Sequence, residues 1–175
     1  MSSMTNYIKI SDLRVLRLFN QGWHCRVLDI FMNAITLMGS VGFAIALPLT
    51  LLLSHKETLV SAGIRMAMVL ACSQTVVFLV KRMVHRPRPF KVLAEVINLK
   101  PTNCPYSLPS GHTSAAFSMA FVLAASFPGL SLIFYFLASL VGLSRVYLGV
   151  HYPTDVMVGL VTAYAFFLLS ARVLF

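Results

Sequence analysis

The chain alternates long apolar runs with short polar stretches, and most of the runs are long enough to cross a membrane. Five runs can be marked, at about residues 27–53, 57–80, 113–127, 130–146 and 153–175. A bilayer core of about 30 Å needs roughly 20 helical residues. The first, second and fifth runs meet that length, whereas the third and fourth would extend through their polar ends. Because every backbone group in lipid needs an internal partner, the pattern predicts helices.

Composition supports a membrane protein. Hydrophobic residues make up 58% of the chain and charged residues only 11%, against about 45–50% apolar and about 25% charged in soluble domains. A soluble protein of this length could not bury so much apolar surface. We therefore predict an all-α membrane bundle of five to six spans, forming a single domain over residues 1–175. Gly39-Ser40-Val41-Gly42 is a place where the first run can bend.

The lengths of the connections bring the polar stretches together. The links after the first and third runs are very short, whereas the link after the second spans about 30 residues. Alternating spans then place the end of the second run, the start of the third, the end of the fourth and the start of the fifth on one membrane face. These places hold the three polar stretches, at residues 81–89, 109–112 and 144–155. Polar groups next to apolar spans tend to mark function.

Most of the 14 basic residues fall on this same face. Some of them read as anchors attracted to anionic lipid heads, namely Lys9, Arg14, Arg17, Lys91 and Lys100. Lys81, Arg88 and Arg145 differ, because they stand where helices emerge beside two histidines. Arginine holds phosphate oxygens in a bidentate way and lysine adds a point charge. Three cations around one site would favour the more highly charged transition state of phosphoryl transfer.

The other two stretches carry the histidines. Pro109-Ser110-Gly111-His112 directly precedes the third run, where exposed N–H groups at a helix start bind anions; an ordinary cap by Ser110 or Thr113 is the alternative. His151 and Asp155 are four residues apart, so on a helix they share a face. A carboxylate on one ring nitrogen fixes the tautomer and leaves the other free as a nucleophile; the alternative is a simple polar pair.

The same histidines and aspartate could in principle bind a metal. The surrounding lysine and arginine side chains would repel a divalent cation, and no other carboxylate clusters near them in the sequence. We therefore expect neither a metal nor a cofactor.

Together, Lys81-x6-Arg88-Pro89, Pro109-Ser110-Gly111-His112 and Ser144-Arg145-x5-His151-x3-Asp155 resemble the three signatures of the type 2 phosphatidic acid phosphatase family. This family shares a superfamily with the vanadium haloperoxidases. The resemblance implies a helical core and a metal-independent phosphatase that acts through a phosphohistidine. It implies His151 as the nucleophile, Asp155 as its orienting partner and His112 as the acid and later the base. The phosphate cradle it implies consists of Lys81, Arg88, Ser110, Gly111 and Arg145.

A membrane scaffold favours a substrate with a lipid tail. The resemblance implies a lipid phosphate or pyrophosphate of the phosphatidylglycerol phosphate, undecaprenyl pyrophosphate, phosphatidic acid or lipid A type. A non-catalytic lipid-phosphate binder or transporter is the main alternative, although binding alone would need only the cations. The haloperoxidase branch is soluble, unlike this composition. As partners we expect the lipid substrate and the bilayer, and no nucleic acid.

The sequence gives conflicting signals for the side of the membrane on which the site lies. The positive-inside rule places the basic face in the cytoplasm, but several of those basic residues are candidate site residues and are poor topology signals. The resemblance to bacterial family members implies the extracytoplasmic face of the cell membrane, which we adopt as the expectation.

Overall fold

The computed structural model describes residues 2–100, 102 and 104–173, and these residues are mostly helical. The helices run in the order α1 (Ser2–Arg17), α2 (Arg26–Ile35), α3 (Val41–Leu52), α4 (Glu57–Val84), α5 (Pro89–Val92), α6 (Gly111–Ser126), α7 (Ser131–Tyr147) and α8 (Pro153–Val173). Short helical turns follow α1, extend α2 and precede α7, at Leu18–Gly22, Thr36–Gly39 and Pro128–Leu130. The all-α prediction is confirmed.

Among the described residues, three helices are long and apolar enough to cross a membrane, at Glu57–Val84, Pro128–Tyr147 and Pro153–Arg172. A fourth candidate span is broken, because Arg26–Gly39 and Val41–Leu52 meet at an angle of 52°. The bend lies in the patch where the sequence allows one. Ser40 caps α3 by accepting a hydrogen bond from the Phe43 N–H (3.3 Å). A Cβ on Gly39 would lie 2.5 Å from the His112 carbonyl oxygen, so only glycine lets this bend touch α6.

Helix α6 is the centre of the bundle. It has 16 residues, fewer than a full span needs, and α4, α7 and α8 pack around it. One apolar cluster joins it to α4 through Met66, Val69, Leu70, Ala115, Met119 and Val122. A second joins it to α7 and α8 through Ala116, Phe117, Ala120, Ala138, Val141 and Ala163. The many alanines allow the close approach of helices that is common in membrane bundles.

The N-terminal segment is attached to the loops at one end of the bundle. Leu16 is buried in a cluster with Val96, Val146 and Tyr152. The buried Asn20 side chain donates to the carbonyl oxygens of Ile97 (2.9 Å) and Tyr147 (2.8 Å), and accepts from the Ile97 N–H. Satisfied buried amides of this kind fix geometry. The segment therefore holds both the long loop between α5 and α6 and the end of α7.

Candidate active site

The three polar stretches meet at this end of the bundle, as the loop lengths predicted. Helix α4 runs to Val84, so that Lys81 lies in its last turn. The Ser110 N–H, at the start of α6, donates to the Asp155 carbonyl oxygen in α8 (2.9 Å). A Cβ on Gly159 would lie 2.6 Å from the Ser110 carbonyl oxygen. The first turns of α6 and α8 are therefore in direct backbone contact.

His151 is buried in the loop between α7 and α8. Its backbone N–H donates to the Arg145 carbonyl oxygen (3.2 Å). The loop turns at Gly149, whose φ of 73° favours glycine and where a Cβ would lie 2.5 Å from the Ile97 carbonyl oxygen. Burial, together with the positive charges of Arg145, Arg88 and Lys81, holds the pKa of His151 well below its usual range. The ring is therefore neutral at physiological pH, as a nucleophile must be.

The tautomer of His151 follows from its neighbour Arg88. Nη1 of Arg88 lies 3.3 Å from Nε2 of His151. A guanidinium group has only donors, so Nε2 must be the acceptor and carries a lone pair. The ring proton is then on Nδ1, which faces the Asp155 carboxylate at 3.5 Å from Oδ2.

Asp155 is held by partners other than His151. The 3.5 Å approach is longer than a normal hydrogen bond, and the buried Nδ1 has no hydrogen-bond partner among the described residues. Oδ1 of Asp155 accepts from Nη1 of Arg86 (2.7 Å), and Oδ2 accepts from the Tyr152 N–H (2.8 Å). The expected pair of His151 and Asp155 is therefore a close approach at 3.5 Å. Arg86 and the Tyr152 backbone N–H hold the Asp155 carboxylate in its orientation.

Arg88 and Lys81 hold the loop that leads into α6. Nε of Arg88 donates to the Cys104 carbonyl oxygen (2.7 Å), and its Nη1 to that of Val150 (2.9 Å). Nζ of Lys81 donates to the carbonyl oxygens of Tyr106 (3.0 Å) and Ser107 (3.4 Å). Both cations are therefore fixed beside His151 by backbone acceptors.

The third cation, Arg145, is buried and only partly satisfied. Its Nη1 donates to the Thr36 hydroxyl (2.7 Å), whereas its Nε is buried without a hydrogen-bond partner among the described residues. A buried donor of this kind is costly unless an acceptor reaches it. A phosphate oxygen is the acceptor that this cationic site would favour.

Ser110 is both a cap and a candidate cradle residue. Its Oγ accepts from the Thr113 N–H (3.4 Å) and from the Thr113 hydroxyl (2.8 Å), which leaves its own proton to donate elsewhere. The next residue, Gly111, accepts from Gln74 Nε2 through its carbonyl oxygen (3.3 Å). His112 follows in the first turn of α6 and is half-buried.

An apolar groove of about 560 Å³ opens beside His112. Helices α3, α4 and α6 form it, with side chains that are mostly small or aliphatic, among them Ala44, Ile45, Pro48, Ala67, Ala71 and Ala115. Gln74, Gly111 and His112 give it one polar end. A groove with an apolar body and a polar end suits a molecule that joins a hydrocarbon chain to a polar head.

The basic residues read as anchors do not all behave alike. Lys9, Arg14, Arg17 and Lys91 are exposed, and Arg17 pairs with Glu95 at the surface (2.8 Å). Lys100 is half-buried, and burial and the charge of Arg145 lower its pKa. Lys100 is thus less exposed than the other four. The sequence did not point to Arg86, Asp12 and Thr154, which are hydrogen-bonded to one another, with Arg86 also bonded to Asp155. The local signal was the repeated Arg-Pro in Arg86-Pro87-Arg88-Pro89.

Known proteins resemble this chain in sequence and in fold. The model of the PAP2 superfamily matches residues 62–175. The crystal structure of Aquifex aeolicus LpxE superposes with a TM-score of 0.81 at 29% identity, covering 91% of this chain and 94% of that one. A transmembrane PAP2 type phosphatidylglycerolphosphate phosphatase from Bacillus subtilis gives 0.76 at 26%, covering 95% and 86%. The bacitracin transport permease protein BcrC of Bacillus licheniformis is 38% identical over 72 residues, which are 41% of this chain and only 36% of BcrC.

Proposed function

We propose that this chain, which belongs to the PAP2 superfamily, is a metal-independent membrane phosphatase that hydrolyses a lipid phosphate through a phosphohistidine on His151. The family is the one that the three motifs resemble. The observation that carries the proposal is the state of His151, which is neutral, with its Nε2 lone pair toward the cations and its Nδ1 proton toward Asp155.

In the first step the Nε2 lone pair of His151 forms a P–N bond as the P–O bond to the lipid breaks. The electron pair of that bond stays on the leaving oxygen, which takes a proton from His112 in its imidazolium form. Burial and the nearby cations lower the pKa of His112, and the negative charge of a bound phosphate would raise it again. The phosphorylated ring carries a positive charge, which the Asp155 carboxylate stabilises from 3.5 Å. Lys81, Arg88 and Arg145 balance the charge on the phosphoryl oxygens, with donors from Ser110 and the Gly111 backbone. Positioning and charge stabilisation are what phosphoryl transfer mainly requires.

In the second step His112 acts as a base. It takes a proton from water, whose oxygen attacks phosphorus, and the P–N bond breaks with its electron pair returning to Nε2. Inorganic phosphate leaves and both histidines regain their starting states. Acid–base help of this kind is worth about 10²–10⁴-fold in rate.

The apolar groove supports a substrate with a hydrocarbon tail. It adjoins Gly111 and His112, so a chain lying in it would bring its polar head to the cations. The candidate lipids are those of the phosphatidylglycerol phosphate, phosphatidic acid, undecaprenyl pyrophosphate and lipid A types. The name of the Bacillus subtilis neighbour favours the first of them.

We place the active site on the extracytoplasmic face of a bacterial cell membrane, and the exposed Cys104 can test this. Cys104 lies beside Arg88 through its carbonyl oxygen. In a protein with Cys25 and Cys72 replaced by serine, a membrane-impermeant maleimide should label Cys104 in intact cells. Labelling that requires lysed cells would place the site in the cytoplasm.

The second candidate is a non-catalytic lipid-phosphate binder or transporter, and the word permease in the name of BcrC is the observation that favours a transport role. Transport would need the cations and the groove, but not a neutral histidine backed by a carboxylate. The test is phosphate release from a panel of lipid phosphates by purified protein in detergent, with His151→Ala as the control. Release that survives EDTA, is inhibited by vanadate and is absent from the variant supports the phosphatase. Lipid binding without release, or release that depends on Mg²⁺, would contradict it.

A further inference from the structure

A buried aspartate in the N-terminal helix contacts the start of α8. Asp12 lies in α1 and is almost fully buried. Its Oδ1 accepts from the Thr154 N–H (2.9 Å), and its Oδ2 accepts from the Thr154 hydroxyl (2.6 Å). The first N–H groups of a helix have no partner within it, so Asp12 caps α8 from another part of the chain.

Arg86 joins this aspartate to the active site. Its Nη2 donates to Oδ2 of Asp12 (2.8 Å), and its Nη1 donates to Oδ1 of Asp155 (2.7 Å) and to the Thr154 hydroxyl (2.7 Å). The guanidinium also lies over the ring of Tyr152, 4.0 Å from its centroid. Its planar fork is therefore fixed between two buried carboxylates, a geometry that the single point charge of a lysine cannot reproduce.

We propose that Asp12 and Arg86 are positioning residues for catalysis, because they set the orientation and the effective charge of the carboxylate behind His151. This inference rests on the proposed function, in which His151 is the nucleophile. Oδ1 of Asp155 is held by Arg86, and this directs Oδ2 toward Nδ1 of His151. The N-terminal helix, which lies outside the residues matched by the family model, thereby takes part in the reaction.

The charges explain why two carboxylates share one arginine. As His151 attacks phosphorus, its ring becomes positive, and Asp155 must stabilise that charge. If Arg86 had no other partner, its positive charge, 2.7 Å from Asp155, would neutralise most of the carboxylate's charge. Asp155 would then stabilise the positive ring of His151 less well. Asp12 takes part of the charge of Arg86. Asp12, Asp155 and Arg86 together carry one net negative charge. Because the three groups are largely buried, solvent screens the effect of this charge on His151 only weakly.

A purely structural role is the competing explanation, because Asp12 also caps α8. Two variants separate charge from shape. Asp12→Asn keeps the shape and an acceptor but removes the charge, whereas Asp12→Glu keeps the charge and alters the shape. If charge acts through Asp155, Asn should be the worse substitution for turnover. If only the cap and the packing matter, Glu should be the worse one.

The experiment measures kcat, KM, the amount of base-stable phosphoenzyme and the melting temperature in detergent. For Asp12→Asn we expect kcat to fall about tenfold or more, the effect of losing one charge-assisted hydrogen bond, with KM near the wild-type value and slower labelling of His151. In an Asp155→Asn background the same change should add little, because residues that act together are not additive. Glu95→Gln is the matched control, since it neutralises a carboxylate that pairs with Arg17 at the surface.

Wild-type kcat and labelling in Asp12→Asn, or a loss that adds fully to that of Asp155→Asn, would overturn the inference. If Asp12→Asn does not fold, Arg86→Lys replaces it. That change keeps the charge but loses the fork, and it should lower kcat with little effect on KM; an unchanged kcat would again overturn the inference. Failure of the proposed function looks different, because then the wild type itself gives no labelled histidine.

Discussion

Arg88 and Asp155 approach opposite edges of the His151 ring: Nη1 of Arg88 lies 3.3 Å from Nε2, and Oδ2 of Asp155 lies 3.5 Å from Nδ1. The nitrogen with the lone pair thus faces the cations that would bind a phosphoryl group, and the nitrogen with the proton faces the anion. A phosphate held by Arg88 and Arg145 would therefore present its phosphorus to the nucleophilic side of the ring.

Replacing either arginine by lysine tests whether the planar fork matters. Arg88→Lys and Arg145→Lys keep the positive charge but lose bidentate contact with phosphate, so kcat/KM should fall at least about tenfold. The measurement is steady-state hydrolysis of one lipid phosphate in detergent. Arg82→Lys serves as the control, because Arg82 is exposed and stacks on Phe78. Near wild-type values for both site variants would mean that these arginines do not hold the substrate.

The pH dependence should report the low pKa of His151. Only the neutral ring attacks, and burial and nearby cations lower its pKa, so activity should persist below the usual histidine pKa of about 6.5. Removing one cation in Arg88→Gln should raise the pKa of His151 and move the acid limb of kcat/KM to higher pH. The phosphate group of the free substrate has the same pKa in assays of the wild type and of Arg88→Gln. A difference between the two pH profiles therefore reports a change in the enzyme. Arg17→Gln, at the surface, should leave the limb in place; an unshifted limb in Arg88→Gln would contradict the assignment.

The groove can be tested by filling it. Ala71 lines the groove on α4, and a phenylalanine there would compete with a lipid tail. Each methylene of the tail kept out of the groove loses about 0.8 kcal/mol of apolar burial, so kcat/KM for a lipid phosphate should fall about tenfold while a short, soluble aryl phosphate keeps its rate. Ala46→Phe is the matched control, because Ala46 is exposed on α3 outside the groove. Equal losses for both substrates would show that the groove does not hold the tail.

Hydropathy and loop lengths predict much of this architecture. The short and long connections place four helix ends together. The hydrogen bonds from Ser110 and Arg86 to Asp155, and from Arg88 to Val150 after α7, confirm that arrangement. The bend at Gly39-Ser40 follows from a glycine patch inside an apolar run. These features depend on local composition or on counting spans, both of which are visible in a single sequence.

The environment of Asp155 could not be predicted in the same way. The spacing to His151 suggested that the two side chains pair, whereas the short hydrogen bonds of Asp155 come from Arg86 and the Tyr152 backbone. The contact of Asp12 with Thr154 and Arg86 could not be predicted either. Nothing in the local sequence of an N-terminal helix indicates that one of its acidic residues contacts a helix near the other end of the chain. Contacts through space between distant segments require the fold itself.

The most direct test of the central claim is trapping of labelled phosphate on the wild type, His151→Ala and His112→Ala in an alkaline detergent quench, because the P–N bond of phosphohistidine is stable to base and labile to acid. We expect label on the wild type and none on His151→Ala, whatever the leaving group. We expect label to accumulate on His112→Ala with a nitrophenyl phosphate, which needs little protonation to leave, because the variant lacks the base that activates water. Label that persists on His151→Ala and vanishes on His112→Ala would show that the roles of the two histidines are reversed.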